Sequence, residues 1–416
     1  MNNEFFIKNR QRLSKKLEDN SIMVMFSGRA PYKSADETYP FTPNRNFYYL
    51  TGIDRENIIL MMTKRNNSVN EILFIEEEDP IMARWVGEKL KINEAIEVSG
   101  IKNIDYTKGF NDFIGELISR YGYDKLYLDL ERQEWGISYT YAQNFAKKIR
   151  DRYPYFTVSN IYNEVSELRT VKSVEEIEKI KIAIGITKRG IEEMMKHAKP
   201  GMMEYEIEAY FDYVLTSEGV RDKAFKTIAA SGKNATVLHY SENNSKCGEN
   251  DLIMFDLGAQ YDYYNGDITR TFPVSGEFTE RQKEVYNVVL RGNKRIIKEA
   301  KAGVPYLKLN EIAKDVLAEG CMELGIIKEK SEISKYYFHS ISHSLGLDTH
   351  DVGDRDIILK PGMVITDEPG LYIPEEGIGI RIEDDLLITE EGCINLSSDI
   401  IKTVDEIEKF MKENIK

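Results

Sequence analysis

Acidic residues interrupt strand patterns that are otherwise apolar, and this restricts the chain more than any other feature. Residues 251–258 read DLIMFDLG; Leu252 to Leu257 has the density of a buried strand, yet Asp256 sits within it. A bare carboxylate in that setting is costly unless something positive meets it. NGDITRTF then supplies Asp267, and the Asn265-Gly266 pair before it predicts a turn that returns this acid beside the first on a neighbouring strand. The C-terminal part repeats the theme. PGMVITDEPG puts Glu368 at the end of a strand, and GIGIRIEDDLLIT puts Glu383 inside another, after alternating Ile378, Ile380 and Ile382. An acid on one strand and a second on a following strand, in each half, hints at an internal duplication.

One buried acid is ordinarily explained by a salt bridge or a capped turn. Asp256, Asp267, Glu368 and Glu383 converging would repel one another, and their pKa values would rise unless cations sat among them. Two divalent ions balance four carboxylates. The histidines point the same way: of the five in the chain, His339, His343 and His350 fall in FHSISHSLGLDTHDVG. Oxygen-rich sites with one or two imidazoles suit Mn²⁺, Co²⁺, Zn²⁺ or Fe²⁺ rather than a metal that prefers thiolates. Arg381 alternates with the acids on its strand and is expected to orient Asp256, not to clamp substrate.

The 416 residues allow two domains of ordinary size. The first half reads as mixed α/β. Helices are expected over Glu4–Asn20, Asn111–Tyr121 and Tyr139–Arg150. Strands are expected over Ile22–Phe26, Phe47–Leu50, Ile58–Met62, Ile72–Ile75 and Leu126–Leu130. A second unit begins near Ser173, where Ser-Val-Glu-Glu fits a capping box and opens a helix to about Ala198. A helix to Gly219, strands to Pro273, helices over Thr279–Ala302 and Leu309–Leu324, more strands and a final helix over Val404–Asn414 complete it. The boundary is expected between residues 160 and 172, giving domains of 1–165 and 173–416.

Charge excludes some partners. Against 56 basic residues stand 70 acidic ones, a net −14, which disfavours nucleic acid and anionic membrane. No apolar run reaches membrane-spanning length, and the charged N-terminus does not read as a signal peptide. Cys247, Cys321 and Cys393 lie far apart in sequence, which suggests reduced thiols and a cytoplasmic protein.

HYSENN (239–244), DLGAQYDYYNGDITRTFPV (256–274), the histidine-rich run, DEPGLYI (367–373) and GIRIEDDLLIT (379–389) together resemble aminopeptidase P, of the pita-bread metallopeptidases. TYPFTPNRNFYYLTGI (38–53) resembles the N-terminal domain of that family, so the likeness spans most of the chain. The resemblance implies an α/β N-terminal domain and an α+β pita-bread catalytic domain, with a curved, mainly antiparallel sheet covered by helices. It implies hydrolysis of the Xaa-Pro bond at peptide N-termini by two divalent ions, Mn²⁺ foremost. Asp256 would chelate one ion, Asp267 and Glu383 would bridge both, and His343 and Glu368 would complete the other. Glu368 would also shuttle a proton, His239 and His350 would face the substrate with catalytic roles, and His339 would line the proline pocket. Phe225 and Tyr372 are further pocket candidates, for which ordinary core packing serves equally well. His197 receives no role beyond a helix C-terminus. Trp85 matches a tryptophan that family members can lend to a neighbouring subunit, which favours a homo-oligomer, dimer or tetramer. Prolidase, acting on Xaa-Pro dipeptides, shares the five ligands and is the alternative. A non-catalytic pita-bread binding protein is the other, though such relatives have typically lost ligands.

Overall fold

The structure, a computed structural model, describes residues 1–131, 135–220, 222–353 and 356–414. It comprises two compact units, Met1–Arg169 and Thr170–Lys416. The first runs α1 (Asn3–Ser14), β1 (Ser21–Phe26), β2 (Tyr32–Ser34), β3 (Glu37–Thr38), α2 (Arg45–Thr51), β4 (Ile59–Arg65), β5 (Ser68–Ile75), α3 (Ala83–Val86), α4 (Ile92–Ser99) and β6 (Ile104–Tyr106). It continues with α5 (Phe110–Ser119), β7 (Lys125–Leu128), α6 (Tyr141–Arg152), β8 (Thr157–Asn160) and α7 (Tyr162–Thr170).

Six of these strands form one sheet in the order β6-β5-β4-β1-β7-β8. β1 pairs parallel with β7, β7 with β8 and β5 with β6, while β4 runs antiparallel between β1 and β5. Every residue of β1 is buried, the continuous apolar pattern of a strand covered on both faces. On one face Ile22, Val24 and Phe26 pack with Phe110, Ile114, Phe145 and Ile149 from α5 and α6. Two expectations fail here. α1 ends at Ser14, and Asn20, in the left-handed region, leads the chain into β1. Phe47–Leu50 is helical, within α2. Asn44 caps that helix by accepting from the Phe47 amide, and Gly52 ends it in the left-handed conformation. Its aromatic residues are buried all round, so the segment carries no helical stripe for periodicity to reveal.

The second unit opens with α8 (Val174–His197), where Ser173 and Glu176 form the expected capping box. There follow α9 (Glu204–Ser217), β9 (Ile228–Ser231), β10 (Leu252–Leu257), β11 (Gln260–Tyr261), β12 (Tyr264–Asn265), β13 (Ile268–Pro273), α10 (Glu280–Glu299) and α11 (Tyr306–Glu323). The remainder is β14 (Val364–Asp367), β15 (Gly370–Ile373), β16 (Ile378–Arg381), β17 (Asp384–Ile388), β18 (Cys393–Asn395) and α12 (Val404–Asn414). Every ladder is antiparallel: β13-β10-β9, β14-β17-β18, β15-β16 and β11-β12. β13 lies beside β16 and the start of β17, where the Glu383 amide donates to the Thr269 carbonyl at 3.1 Å and the Thr271 hydroxyl to the Arg381 carbonyl at 3.0 Å. α8 packs over β11–β13 and α10 over β14–β16.

The hairpin before Asp267 turns at Asp262-Tyr263, both with positive φ, and not at Asn265-Gly266. Asn265 instead belongs to β12, where its amide and side chain both donate to the Gly346 carbonyl. Glu383 likewise lies between β16 and β17, not inside a strand. Closure of this hairpin demands a glycine at 258, because a Cβ there would lie 1.8 Å from the Gly266 carbonyl oxygen. Gly258→Ala is therefore expected to lower unfolding stability by about 3 kcal/mol or more. Gly392→Ala, in open space, should stay within about 0.5 kcal/mol. Denaturant melts of the two variants check this; equal stabilities would contradict the close approach.

Candidate metal centre

Strand pairing brings the acids together. Asp256 on β10 faces Thr269 on β13, and Asp267 immediately precedes β13. Glu368 follows β14 directly, and Glu383 precedes β17, which pairs with β14. His343 is set beside them because its amide donates to the Thr366 hydroxyl, while its carbonyl accepts from the Thr366 amide on β14. Donor atoms of Asp267, His343 and Glu383 all lie within 4.8 Å of one another. His343 Nε2 stands 3.2 Å from Asp267 Oδ2 and 3.7 Å from Glu368 Oε1. Its Nδ1 lies 3.1 Å from the Ser344 carbonyl, which can only accept. The Nδ1 therefore carries hydrogen, and Nε2 is the nitrogen turned to the acids.

The fifth group, Asp256, is held by Arg381, whose Nη2 donates to Oδ2 at 2.6 Å, while Oδ1 is buried without a hydrogen-bond partner. Arg381 does more than this. Its Nε donates to the Thr269 hydroxyl at 3.0 Å, and that hydroxyl donates to Glu383 Oε2 at 2.7 Å. Its Nη1 donates to the Tyr372 hydroxyl, which lies 2.9 Å from His339 Nε2. One guanidinium thus orients two acids and one imidazole.

Outside this layer, Arg270 points to the opposite face of β13 and binds the Glu383 carbonyl at 2.6 Å and Asp384 at 2.8 Å. Lys402 also pairs with Asp384, and Asn293 bridges Asp384 and Asp367. Asp385 accepts from the Asp267 amide at 3.1 Å. These contacts fix the backbone that presents Asp267 and Glu383.

Burial dominates the electrostatics. It raises Asp267 to about 6 despite the hydrogen bond from His343, and Glu368 to about 7 despite the charges of His343 and Arg381. Glu383 is pushed well above the usual carboxylate range by burial and then by Asp267, Glu368 and Asp256. For His343 burial opposes the charge, but the Asp267 hydrogen bond and the neighbouring acids outweigh it and raise the ring to about 9. His339 behaves oppositely, since burial and then Arg381 lower it to about 3. Surplus negative charge in a dry pocket, an orphaned carboxylate oxygen and an imidazole nitrogen facing the acids fit a divalent-cation site.

The remaining candidates surround this cluster. His350 packs edge-to-face on His343, ring centroids 4.4 Å apart. Its loop is anchored by Lys172 and Asp351, an ion pair of 2.9 Å with both side chains 1% exposed. His239 stands exposed on the turn after β9, where its charge further depresses the basicity of His339. Phe225 is half-buried and Tyr372 fully buried. His197 stacks on Tyr210 and bonds the Glu193 carbonyl of its own helix. Sequence reasoning assigned nothing to Thr269, Asp385 or the Lys172–Asp351 pair. For Thr269 a signal existed: two residues after Asp267 in a strand pattern, it shares that residue's face.

Comparison with known proteins places the chain in a family. Residues 178–390 match the model of metallopeptidase family M24, and residues 6–127 match the aminopeptidase P N-terminal domain. The Xaa-Pro aminopeptidase of Escherichia coli K12 is 34% identical, covering 98% of this chain and 97% of that protein. A Bacillus anthracis structure solved as a candidate aminopeptidase P is 53% identical with a TM-score of 0.99, over 100% of this chain and 99% of that one. E. coli aminopeptidase P with the inhibitor Pro-Leu superposes with a TM-score of 0.92 at 32% identity, over 100% and 99% of the two chains. The chain belongs to metallopeptidase family M24, with the two-domain fold of aminopeptidase P.

Proposed function

We propose that this chain is a dinuclear-metal Xaa-Pro aminopeptidase, which removes the first residue from peptides with proline in second position. The observation that carries the reading is the buried meeting of Asp267, His343 and Glu383 donor atoms, with Asp256 and Glu368 beside them. The proline specificity rests on the full-length likeness to Xaa-Pro aminopeptidases. Asp256, Asp267, His343, Glu368 and Glu383 would hold two divalent ions, Mn²⁺ foremost, with Co²⁺, Zn²⁺ or Fe²⁺ as alternatives. Bound there, such ions supply a strong nucleophile from water at neutral pH and polarise the scissile carbonyl.

The chain's own groups do the rest. Glu368, beside the ions it would help to hold, would carry a proton from the attacking water to the leaving nitrogen. His350 and His239 face the peptide and donate to charge that develops on the carbonyl oxygen. His339 stays neutral, its Nε2 engaged by Tyr372, and offers a ring face to proline. Proline has no N–H, so recognition falls to such a shaped wall instead of a backbone hydrogen bond. Trp85, 82% exposed with Ile81 and Val86 on or beside α3, supports a homo-oligomer, and the dispersed free cysteines support a cytoplasmic setting.

The direct test is hydrolysis of an Xaa-Pro-Yaa tripeptide by chelator-stripped enzyme with Mn²⁺, Co²⁺ or Zn²⁺ returned. Activity should vanish on stripping and return with metal. Glu368→Gln should lower kcat by about 10²-fold or more. Turnover of an Xaa-Pro dipeptide alone would make the chain a dipeptidase instead.

Thr269→Val should weaken Mn²⁺ binding about tenfold through loss of the hydrogen bond to Glu383, with Thr269→Ser close to the parent; competition against a chelator measures this. Asp267, Glu368 and Glu383 keep protons to higher pH when folded, and so does His343. The folded state therefore holds more protons than the unfolded one from about pH 4 to about pH 9, with His339 opposing, and stability falls as pH rises through that range. Without metal, the melting temperature should drop by about 3 °C or more from pH 6 to pH 8. Added divalent ion should raise it most at pH 8. A stripped chain more stable at pH 8 would contradict the electrostatic account.

A further inference from the structure

We propose that the first unit carries a second ligand site, separate from the metal centre, for a small molecule with a flat apolar body and one anionic group. A cavity of about 400 Å³ opens there at the carboxyl ends of β1, β5 and β6, against the first turns of α5 and α6. Small-molecule sites commonly measure about 300–1,000 Å³. In open α/β sheets, ligands bind in crevices outside the carboxyl ends of the strands, where the chain's path across the sheet reverses. The path reverses here: after β1 it moves through β4 and β5 to β6 at one edge, and α5 carries it back across to β7.

The lining sets the ligand class. Phe26, Phe110 and Phe145 form an aromatic floor, with ring centroids 5.3–6.2 Å apart. Around it stand three cations, Arg29, Lys108 and Lys148, and two acids, Glu76 and Glu77. Glu76 is already matched by Lys89 at 2.7 Å, and it accepts from the Asn57 amide at 3.2 Å. Asn57 in turn accepts from Arg29, which ties that guanidinium to the rim. Lys108 and Lys148 make no ion pair among the described residues. The rim is therefore net positive on a chain of net charge −14. An aromatic floor beneath unpaired cations selects an anion with a planar face.

Titration calorimetry of the metal-loaded enzyme with 2-naphthoate tests this. 2-Naphthamide keeps the shape without the charge, and acetate keeps the charge without the body. The site should take one naphthoate and bind both controls about tenfold or more weakly. The double variant K108E/K148E, altered at two exposed positions, should weaken naphthoate about tenfold while peptide hydrolysis stays unchanged. No binding, equal binding of naphthamide, or undiminished affinity in the double variant would overturn the proposal. The last result would place the probe elsewhere, for instance at the metal centre.

Discussion

Mutual repulsion among Asp256, Asp267, Glu368 and Glu383 is the constraint on which the second unit depends. Each comes from a different strand or strand end, and each is largely withdrawn from water. Such groups do not offset their desolvation through pairwise contacts alone, since Arg381 and a protonated His343 supply two charges against four. The unit accommodates them by fixing the backbone from behind. Arg270 holds the Glu383 carbonyl, Asp385 takes the Asp267 amide, and Lys402, Asn293 and Asp384 tie β17 to α10 and the start of α12. The acids are thereby kept in place against a repulsion that would otherwise part them, which is how a preorganised cation site is built.

The histidines show how environment divides one residue type into two roles. His343 and His339 are both buried, and burial lowers the basicity of each. His343 faces Asp267 and Glu368, and their attraction reverses the effect. His339 faces Arg381 and the Tyr372 hydroxyl, and stays neutral. The first is a cation in the absence of metal, so a bound ion would replace its proton. The second is an uncharged wall. The pair of opposite shifts follows from which neighbours the strands present.

Much of this was legible in the sequence, for reasons that differ by residue. The capping box at Ser173 is a local contact that only its own turn can satisfy, and α12 stands between clear polar boundaries. The acids were legible because a carboxylate inside an apolar run has few explanations. Non-local contacts were harder. Phe47–Leu50 is buried on every side, so helix and strand present the same apolar string. The tight turn at Asp262-Tyr263 uses residues without glycine, and Asn265-Gly266 was the stronger local signal. Gly266 is there for close packing against the α8 backbone at Ile184, not for a turn. Thr269 and Lys172 are ordinary residues whose importance appears only when their partners arrive from elsewhere in the chain.

Proton release on metal binding tests most directly whether the buried acids are placed to meet cations. Mn²⁺ titrated into stripped chain near pH 7, in buffers of differing ionisation enthalpy, counts the protons displaced. Two ions bound, with more than one proton released per chain, is the predicted result, because Glu368, Glu383 and His343 all retain protons there without metal. No stoichiometric binding, or binding without release, would contradict it.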